Sequence, residues 1–171
     1  MSTIISVDKQ FILGGRAIFS VHNPKGQQYT FKVTRKDHFN GGNIYFVKLM
    51  YGPDNENDFR YLGILNPLKG TIRLTQKSKF TYDSMAVKVL QWALKNIWMN
   101  RELPEGYGIN SNGYCARCGR MLTRHEGTDP EGHRYGFGPH CWKLVNGETV
   151  WNFLRRKIWQ LPRLINKYVK N

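Results

Sequence analysis

Three cysteines constrain the fold of this chain more than any other feature, because all of them lie within one short stretch. Cys115 and Cys118 form a Cys-x-x-Cys loop, and Cys141 follows a Gly-x-Gly-Pro turn at residues 136–139. An odd number of cysteines, in a chain for which we expect no signal peptide, argues against a disulfide framework. A redox Cys-x-x-Cys would need a surrounding βαβ pattern, which this sequence lacks. Inert buried thiols are the remaining alternative, and the clustering favours a metal site over them.

Thiolate and imidazole are ligands that Zn²⁺ prefers, and structural zinc sites hold four ligands in a tetrahedron. The cysteines would supply three ligands and a histidine the fourth. We favour His133, which lies in the segment that returns the chain to Cys141, while His125 and His140 stay open as alternatives. Four protein ligands leave no position for a substrate, so the predicted site is structural. The order of hairpin loop, return segment and helix start is typical of a treble-clef-like zinc knuckle.

The remainder of the chain shows two periodicities. Apolar residues alternate with polar ones or cluster between turn signals at residues 17–21, 29–34, 44–51, 59–65 and 71–75, which predicts short antiparallel strands. Residues 84–99 change to a spacing of three and four, which predicts a helix, and residues 103–108 read as a linker. The predicted fold class is α+β. An N-terminal antiparallel sheet packed with one helix would occupy residues 1–106, the knuckle 107–147, and a basic amphipathic helical tail 148–171.

Charge indicates the partner. The chain has 26 Lys and Arg residues against 12 Asp and Glu, a formal net charge of +14, which favours an anionic partner and nucleic acid first. Aromatic residues on the predicted strands (Tyr29, Tyr45, Phe46 and Tyr61) lie near basic ones, although strand aromatics more often belong to a core. The candidate phosphate-binding residues lie on the strands, around the knuckle and in the tail: Lys32, Lys48, Arg60 and Arg73; Arg117, Arg120 and Arg124; Arg155, Arg156 and Lys157.

Several motifs occur together in residues 10–142. They are Gly52-Pro53-Asp54-Asn55-Glu56-Asn57-Asp58-Phe59 with Tyr61-Leu62-Gly63, Leu103-Pro104-Glu105-Gly106, Cys115-x-x-Cys118-Gly119-Arg120-x-Leu122-Thr123, and Asp129-Pro130-Glu131 leading to Gly136-x-Gly138-Pro139-x-Cys141. In combination they resemble an uncharacterised family of phage and bacterial proteins, some of them joined to Swi/Snf-type helicase regions. The resemblance implies a phage-type protein but no particular reaction. This chain departs from the pattern by an extra piece at residues 124–128, which contains His125, and by Gly132 in place of a serine.

No enzyme signature is found in the sequence. It has no Gly-x-x-x-x-Gly-Lys-Ser/Thr loop and no His-Glu-x-x-His, and no His-x-Glu precedes the Cys-x-x-Cys as a zinc deaminase would require. We therefore expect a non-catalytic, zinc-containing protein of the cytoplasm that binds DNA or RNA within a nucleoprotein assembly and does not contact membranes. The alternative is a small phage protein that binds and inhibits a host enzyme or defence complex by protein–protein contact.

Overall fold

The computed structural model describes residues 5–52, 58–122, 134–138, 140, 141 and 144. The predicted tail at residues 148–171, and the knuckle segment 123–133, lie outside these residues. In chain order the elements are β1 (Ile5–Ser6), α1 (Lys9–Ile12), β2 (Arg16–His22), β3 (Gln28–Asp37), β4 (Asn43–Met50), β5 (Phe59–Asn66), β6 (Thr71–Arg73), α2 (Met85–Trp98), β7 (Gly108–Ser111) and β8 (Arg134–Tyr135).

Six of the strands form one antiparallel sheet in the order β6-β5-β4-β3-β2-β7. Consecutive strands from β2 to β6 are neighbours in the sheet, and each is joined to the next by a connection of eight residues or fewer. In the turn between β2 and β3, the Asn23 side-chain oxygen accepts the backbone N–H groups of Lys25 and Gln27, each at 3.0 Å. The antiparallel sheet and the helix predicted from the sequence are confirmed, and α1, β1, β7 and β8 are additional to that prediction.

The linker predicted at residues 103–108 ends earlier than expected. Gly108 begins β7, which pairs with the edge of β2 over Gly108–Ser111. These residues carry no clear alternation of apolar and polar side chains, so local pattern gave no signal for a strand. The pairing arises because the unpaired backbone groups along the edge of β2 need partners. The chain therefore joins the sheet just before it enters the cysteine loop.

Both helices pack on the same side of the sheet, which we call the core face. Val87, Leu90 and Leu94 of α2 are fully buried there, as are Phe11 and Ile12 of α1. Asp8 caps α1 by accepting the backbone N–H of Phe11 at 2.7 Å. The sheet side of this core alternates along each strand: Ala17, Phe19, Val21, Phe31, Val33, Tyr45, Val47, Leu49, Leu65 and Ile72.

The cysteine loop and the segment that follows it contribute buried side chains to this core. Cys115, Ala116, Phe137 and Cys141 belong to the same buried cluster as the side chains of the sheet and helices. The Phe137 ring packs edge-on against Phe11, with 6.4 Å between the ring centroids. The short parallel pair β1–β8 brings the N-terminal strand beside residues 134–135. Among the residues described, no helix is long and apolar enough to cross a membrane.

Candidate metal centre and basic sheet face

The three cysteine sulfurs converge on one point. The Sγ atoms of Cys115, Cys118 and Cys141 all lie within 4.8 Å of one another. With Zn–S bonds of about 2.3 Å, two corners of a tetrahedral site would be about 3.8 Å apart, so a small inward movement would close the sulfurs on the metal. The donor set and its spacing therefore fit a metal ion, and the thiolate chemistry favours zinc over the hard cations that prefer oxygen.

A tight hairpin holds the first two sulfurs. Cys115 donates its backbone N–H to the carbonyl of Arg120 at 2.8 Å, and Gly119 donates to the carbonyl of Cys115, also at 2.8 Å. Gly119 has a φ of 75°, a left-handed conformation that glycine adopts without steric cost. An isolated bridge between Tyr114 and Met121 closes the hairpin. The glycine after the Cys-x-x-Cys therefore makes the turn expected from the sequence.

Backbone hydrogen bonds favour the ionised form of Cys115. Burial opposes the ionised form of Cys115, but hydrogen bonds from the backbone N–H groups of Cys118, Gly138 and Arg117 outweigh that effect, and the pKa of Cys115 is lowered. The Gly138 N–H lies 3.5 Å from the Cys115 sulfur. This N–H comes from the Gly-x-Gly-Pro turn, so the return segment stabilises the thiolate as well as delivering the third cysteine.

Cys141 behaves in the opposite way. Burial, followed by its contacts with the sulfurs of Cys118 and Cys115, raises the pKa of Cys141 to about 12. Three sulfurs this close cannot all carry negative charge unless a cation neutralises them. Three ionised sulfurs at these positions would repel one another in the metal-free protein, and a divalent cation between them would remove that repulsion.

Of the three histidines that could supply the fourth ligand, His140 is among the described residues. His140 is exposed and is not a member of the sulfur cluster, although it is next to Cys141 in the chain. The two residues have helical backbone, which directs successive side chains about 100° apart around the axis. His133, which we favoured, and His125 lie outside the described residues, so the choice of fourth ligand stays a prediction.

A second feature is the side of the sheet opposite the core, which we call the basic face. Strand register aligns its residues in rows across the sheet. Lys32 lies between Ile18 and Lys48, and Lys48 pairs onward with Tyr61. The next row contains Arg16, Thr34, Phe46, Ile64 and Arg73. The strand residues of this face therefore include five basic side chains: Arg16, Lys32, Lys36, Lys48 and Arg73.

Aromatic rings lie among these charges. The rings of Phe46 and Tyr61 pack together with their centroids 6.2 Å apart. The Lys32 ammonium lies 5.2 Å from the centroid of the Phe59 ring, and the Lys36 ammonium lies 5.9 Å from that of Phe46. Asp37 is the only acidic residue within strands β2 to β7, and the alternation of β3 places it on the core face. The strands thus present cations and rings on this face without acids between them.

The basic face is covered unevenly. Ile18 and Ser20, at its β2 side, are buried, whereas Lys32, Lys48, Phe46 and Tyr61 are partly exposed. The Ser20 hydroxyl donates to the side-chain oxygen of Asn112 at 2.8 Å and lies 2.8 Å from the Thr30 hydroxyl. Both described helices pack on the core face, so neither covers the rows of basic residues.

The sequence-predicted residues divide between several places. Lys32, Lys48 and Arg73 share the basic face, but Arg60 pairs with the buried core residue Leu49 and points to the other side of the sheet, where its guanidinium lies 4.0 Å from the Tyr51 ring. Of the four strand aromatics, Phe46 and Tyr61 lie on the basic face, and Tyr29 and Tyr45 on the core face. Arg117 and Arg120 are in the cysteine hairpin. The remaining predicted residues lie outside those described: Arg124, Arg155, Arg156 and Lys157.

Two members of the basic face were missed from the sequence. Lys36 follows Lys32 and Thr34 at a spacing of two, so strict alternation along β3 would have found it. Arg16 precedes Ile18 and Ser20 in the same way, but the preceding Gly14-Gly15 reads as a turn. Its guanidinium lies 3.4 Å from the carbonyl oxygen of Cys118, which links the edge of the basic face to the cysteine hairpin.

Comparison with known proteins gives no match: no protein-family model matches the chain, and neither does any curated protein or solved structure compared with it. Functional inference therefore rests on the two sites described above.

Proposed function

We propose that this chain is a non-catalytic, zinc-containing protein that binds nucleic acid on the basic face of its sheet. The observation that carries the proposal is the pair Lys32 and Lys48, directly opposite each other on neighbouring strands and surrounded by the rings of Phe46, Phe59 and Tyr61. Like charges in directly opposite positions destabilise a sheet. A phosphate bound between them would relieve this repulsion.

The rings favour a single strand over a duplex. Bases in a duplex are stacked on each other, whereas unpaired bases can stack on aromatic side chains of an open sheet. Phe46 and Tyr61 are partly exposed. Tyr61 lies in the same row as the lysine pair, and Phe46 lies in the next row. Phosphate contacts from Lys32, Lys48 and Arg73 would hold the backbone without reading its sequence. We therefore expect little sequence specificity and binding to both single-stranded DNA and single-stranded RNA.

The metal would have a structural role in this function. The cysteine hairpin continues directly from β7, and Arg16 at the edge of the basic face contacts the Cys118 carbonyl. Zinc held by Cys115, Cys118, Cys141 and a histidine would stabilise this corner of the sheet. The phage-type family, the cytoplasmic location and the basic tail stay predictions, and so does binding to a host protein.

The test is fluorescence anisotropy of labelled oligonucleotides titrated with the full, metal-loaded chain. Lys48→Ala should weaken binding to single strands and reduce the slope of log affinity against log salt by about 0.7, the value for one phosphate contact. Arg60→Ala is the matched control, since it removes one exposed charge from a neighbouring strand on the opposite side of the sheet. We expect Arg60→Ala to bind as the wild type does.

Two results would contradict the proposal. If Lys48→Ala and Arg60→Ala weaken binding equally, the affinity comes from net charge and not from the basic face. If the wild type binds no oligonucleotide at low salt but forms a stoichiometric complex with one host protein, the protein-binding alternative replaces the proposed function.

Replacing Tyr61 by leucine separates stacking from charge, because it should weaken single-strand binding while leaving the salt slope unchanged.

A further inference from the structure

A cavity lies on the core side of the sheet, where the sheet, the helices and the cysteine hairpin meet. Its volume is about 660 Å³. Residues from α1, the end of β3, the end of α2 and the hairpin line it, so no single element forms it. Ligand-binding cavities in proteins commonly measure about 300–1,000 Å³. The cavity is therefore large enough for a small organic molecule.

Three cations from separate parts of the chain line this cavity. They are Lys9 of α1, Arg35 of β3 and Arg117 of the cysteine hairpin. Asp8 is the one acidic residue among the described lining residues, and one of its carboxylate oxygens accepts the N–H of Phe11 at the start of α1. The lining thus carries an excess of positive charge, which favours an anionic ligand.

The ion pair that Arg35 makes is weak enough for a ligand to displace. Its Nε lies 3.9 Å from the Asp37 carboxylate, and the two side chains are 36% and 85% exposed. Exposed pairs at such distances contribute little stability. The backbone N–H of Arg35 donates to the carbonyl of Gly15 at 2.9 Å, which keeps the end of β3 in place whatever the side chain binds. Arg35 can therefore turn to an anion without disturbing the strand.

An aromatic wall completes the cavity. The indole N–H of Trp98 donates to the carbonyl of Pro67 at 3.2 Å, which fixes the orientation of the ring. The Lys9 ammonium lies 5.8 Å from the centroid of that ring. Phe137, fully buried, contributes from the side of the hairpin. Asn100, just beyond α2, lines the cavity from a left-handed backbone conformation with φ 46°.

We propose that this cavity binds a 5′-nucleotide, with the base against Trp98 and the phosphate between Arg35 and Arg117. Guanidinium groups bind phosphate oxygens through paired, charge-assisted hydrogen bonds, and aromatic rings stack on any base. The ligand is either a free nucleotide or the 5′-phosphorylated end of a strand. The site is independent of the basic face, because it lies on the other side of the sheet.

The experiment uses two adjacent residues of β3 that point to opposite sides. Arg35 lines the cavity and Lys36 lies on the basic face. Isothermal titration of the full, metal-loaded chain with AMP should give binding that Arg35→Gln weakens about tenfold or more and Lys36→Gln leaves unchanged. Arg117→Gln should weaken AMP binding in the same way, and adenosine, which lacks the phosphate, should bind far more weakly than AMP. Circular dichroism of each variant checks that it is folded.

Oligonucleotides distinguish the two ligand sources and the two sites. A preference for a 5′-phosphorylated over an unphosphorylated oligonucleotide, lost in Arg35→Gln, would identify the ligand as a strand end. If AMP binds but the two oligonucleotides bind equally well, the ligand of the cavity is a free nucleotide. The proposal is overturned if AMP does not bind the folded wild type, or if Lys36→Gln weakens AMP binding as much as Arg35→Gln. Failure of oligonucleotide binding on the basic face with AMP binding intact would instead refute only the proposed function.

Discussion

Replacing Phe137 by alanine tests whether the cysteine region and the sheet form one cooperative unit. Phe137 is fully buried, and its ring packs edge-on against Phe11 at 6.4 Å between centroids. Removing a buried phenylalanine side chain costs about 3–5 kcal/mol, because the transfer energy is lost and a cavity remains. For a chain of this size each kcal/mol lowers the melting temperature by about 2–4 °C. We therefore expect a fall of roughly 6–20 °C for the whole protein.

The same substitution should weaken metal binding. Phe137 immediately precedes Gly138, whose N–H contacts the Cys115 sulfur at 3.5 Å, and loss of its packing would loosen that turn. The assay is thermal unfolding followed by circular dichroism, together with the metal content of the folded protein by mass spectrometry. Leu68→Ala is the control, since Leu68 is an apolar side chain that is 84% exposed and should change stability by less than about 0.5 kcal/mol. A Phe137→Ala variant that loses metal but melts like the wild type would refute the reasoning, because the sheet would then fold independently of the cysteines.

Three further predictions concern the metal centre and the sheet. Because the pKa of Cys141 is raised to about 12, its thiol is protonated near neutral pH in the metal-free protein, and zinc binding must displace that proton. Zinc affinity, measured with a competing chelator, should therefore rise by about tenfold or more per pH unit between about pH 6 and 8. A zinc affinity independent of pH would contradict this prediction. Ser20→Ala should lower the free energy of unfolding in urea by about 1–3 kcal/mol, because it leaves the buried Thr30 hydroxyl and the partly buried Asn112 side chain without their hydroxyl partner. Thr71→Ala, at an exposed position, should have little effect. Gly63→Ala should destabilise the sheet by about 1–3 kcal/mol, because the added Cβ would lie 2.6 Å from the Arg73 carbonyl oxygen. Gly42→Ala is the control, since a Cβ added at Gly42 would have no neighbouring atom within 4 Å. Equal stabilities of the two variants would exclude this clash.

Local patterns predicted the class of the fold and the three cysteines of the candidate metal centre. Alternation of side chains is a property of a strand by itself, so the strands from β2 to β6 and the helix α2 could be identified without knowledge of their partners. The Cys-x-x-Cys loop, the glycine after it and the later Cys141 are likewise defined by spacing and ligand chemistry. The structure brings these three sulfurs together as predicted.

Register decided what local patterns could not. A shift of register between Val47 and Lys48 leaves Leu62 as an extra residue in β5, so Tyr61 faces the same side as Lys48 while Leu65 faces the core. Simple alternation would have placed Tyr61 and Leu65 on one side. The pairing of Arg60 with Leu49 likewise places Arg60 on the core face, although the sequence had predicted it to bind phosphate together with Lys32 and Lys48.

Tertiary packing also created features with no sequence signal. The strand β7 exists because the edge of β2 needs hydrogen-bond partners, and the cavity exists because α1, β3, α2 and the cysteine hairpin meet. Arg35 and Arg117 are far apart in sequence, and only the packing of the hairpin on the core brings them to one cavity. The sequence by itself determined the strands β2 to β6, the helix α2 and the three cysteines that could hold a metal ion, since these follow from local patterns in the chain. Which charges share a surface was decided by strand pairing and packing, because these depend on residues distant in sequence.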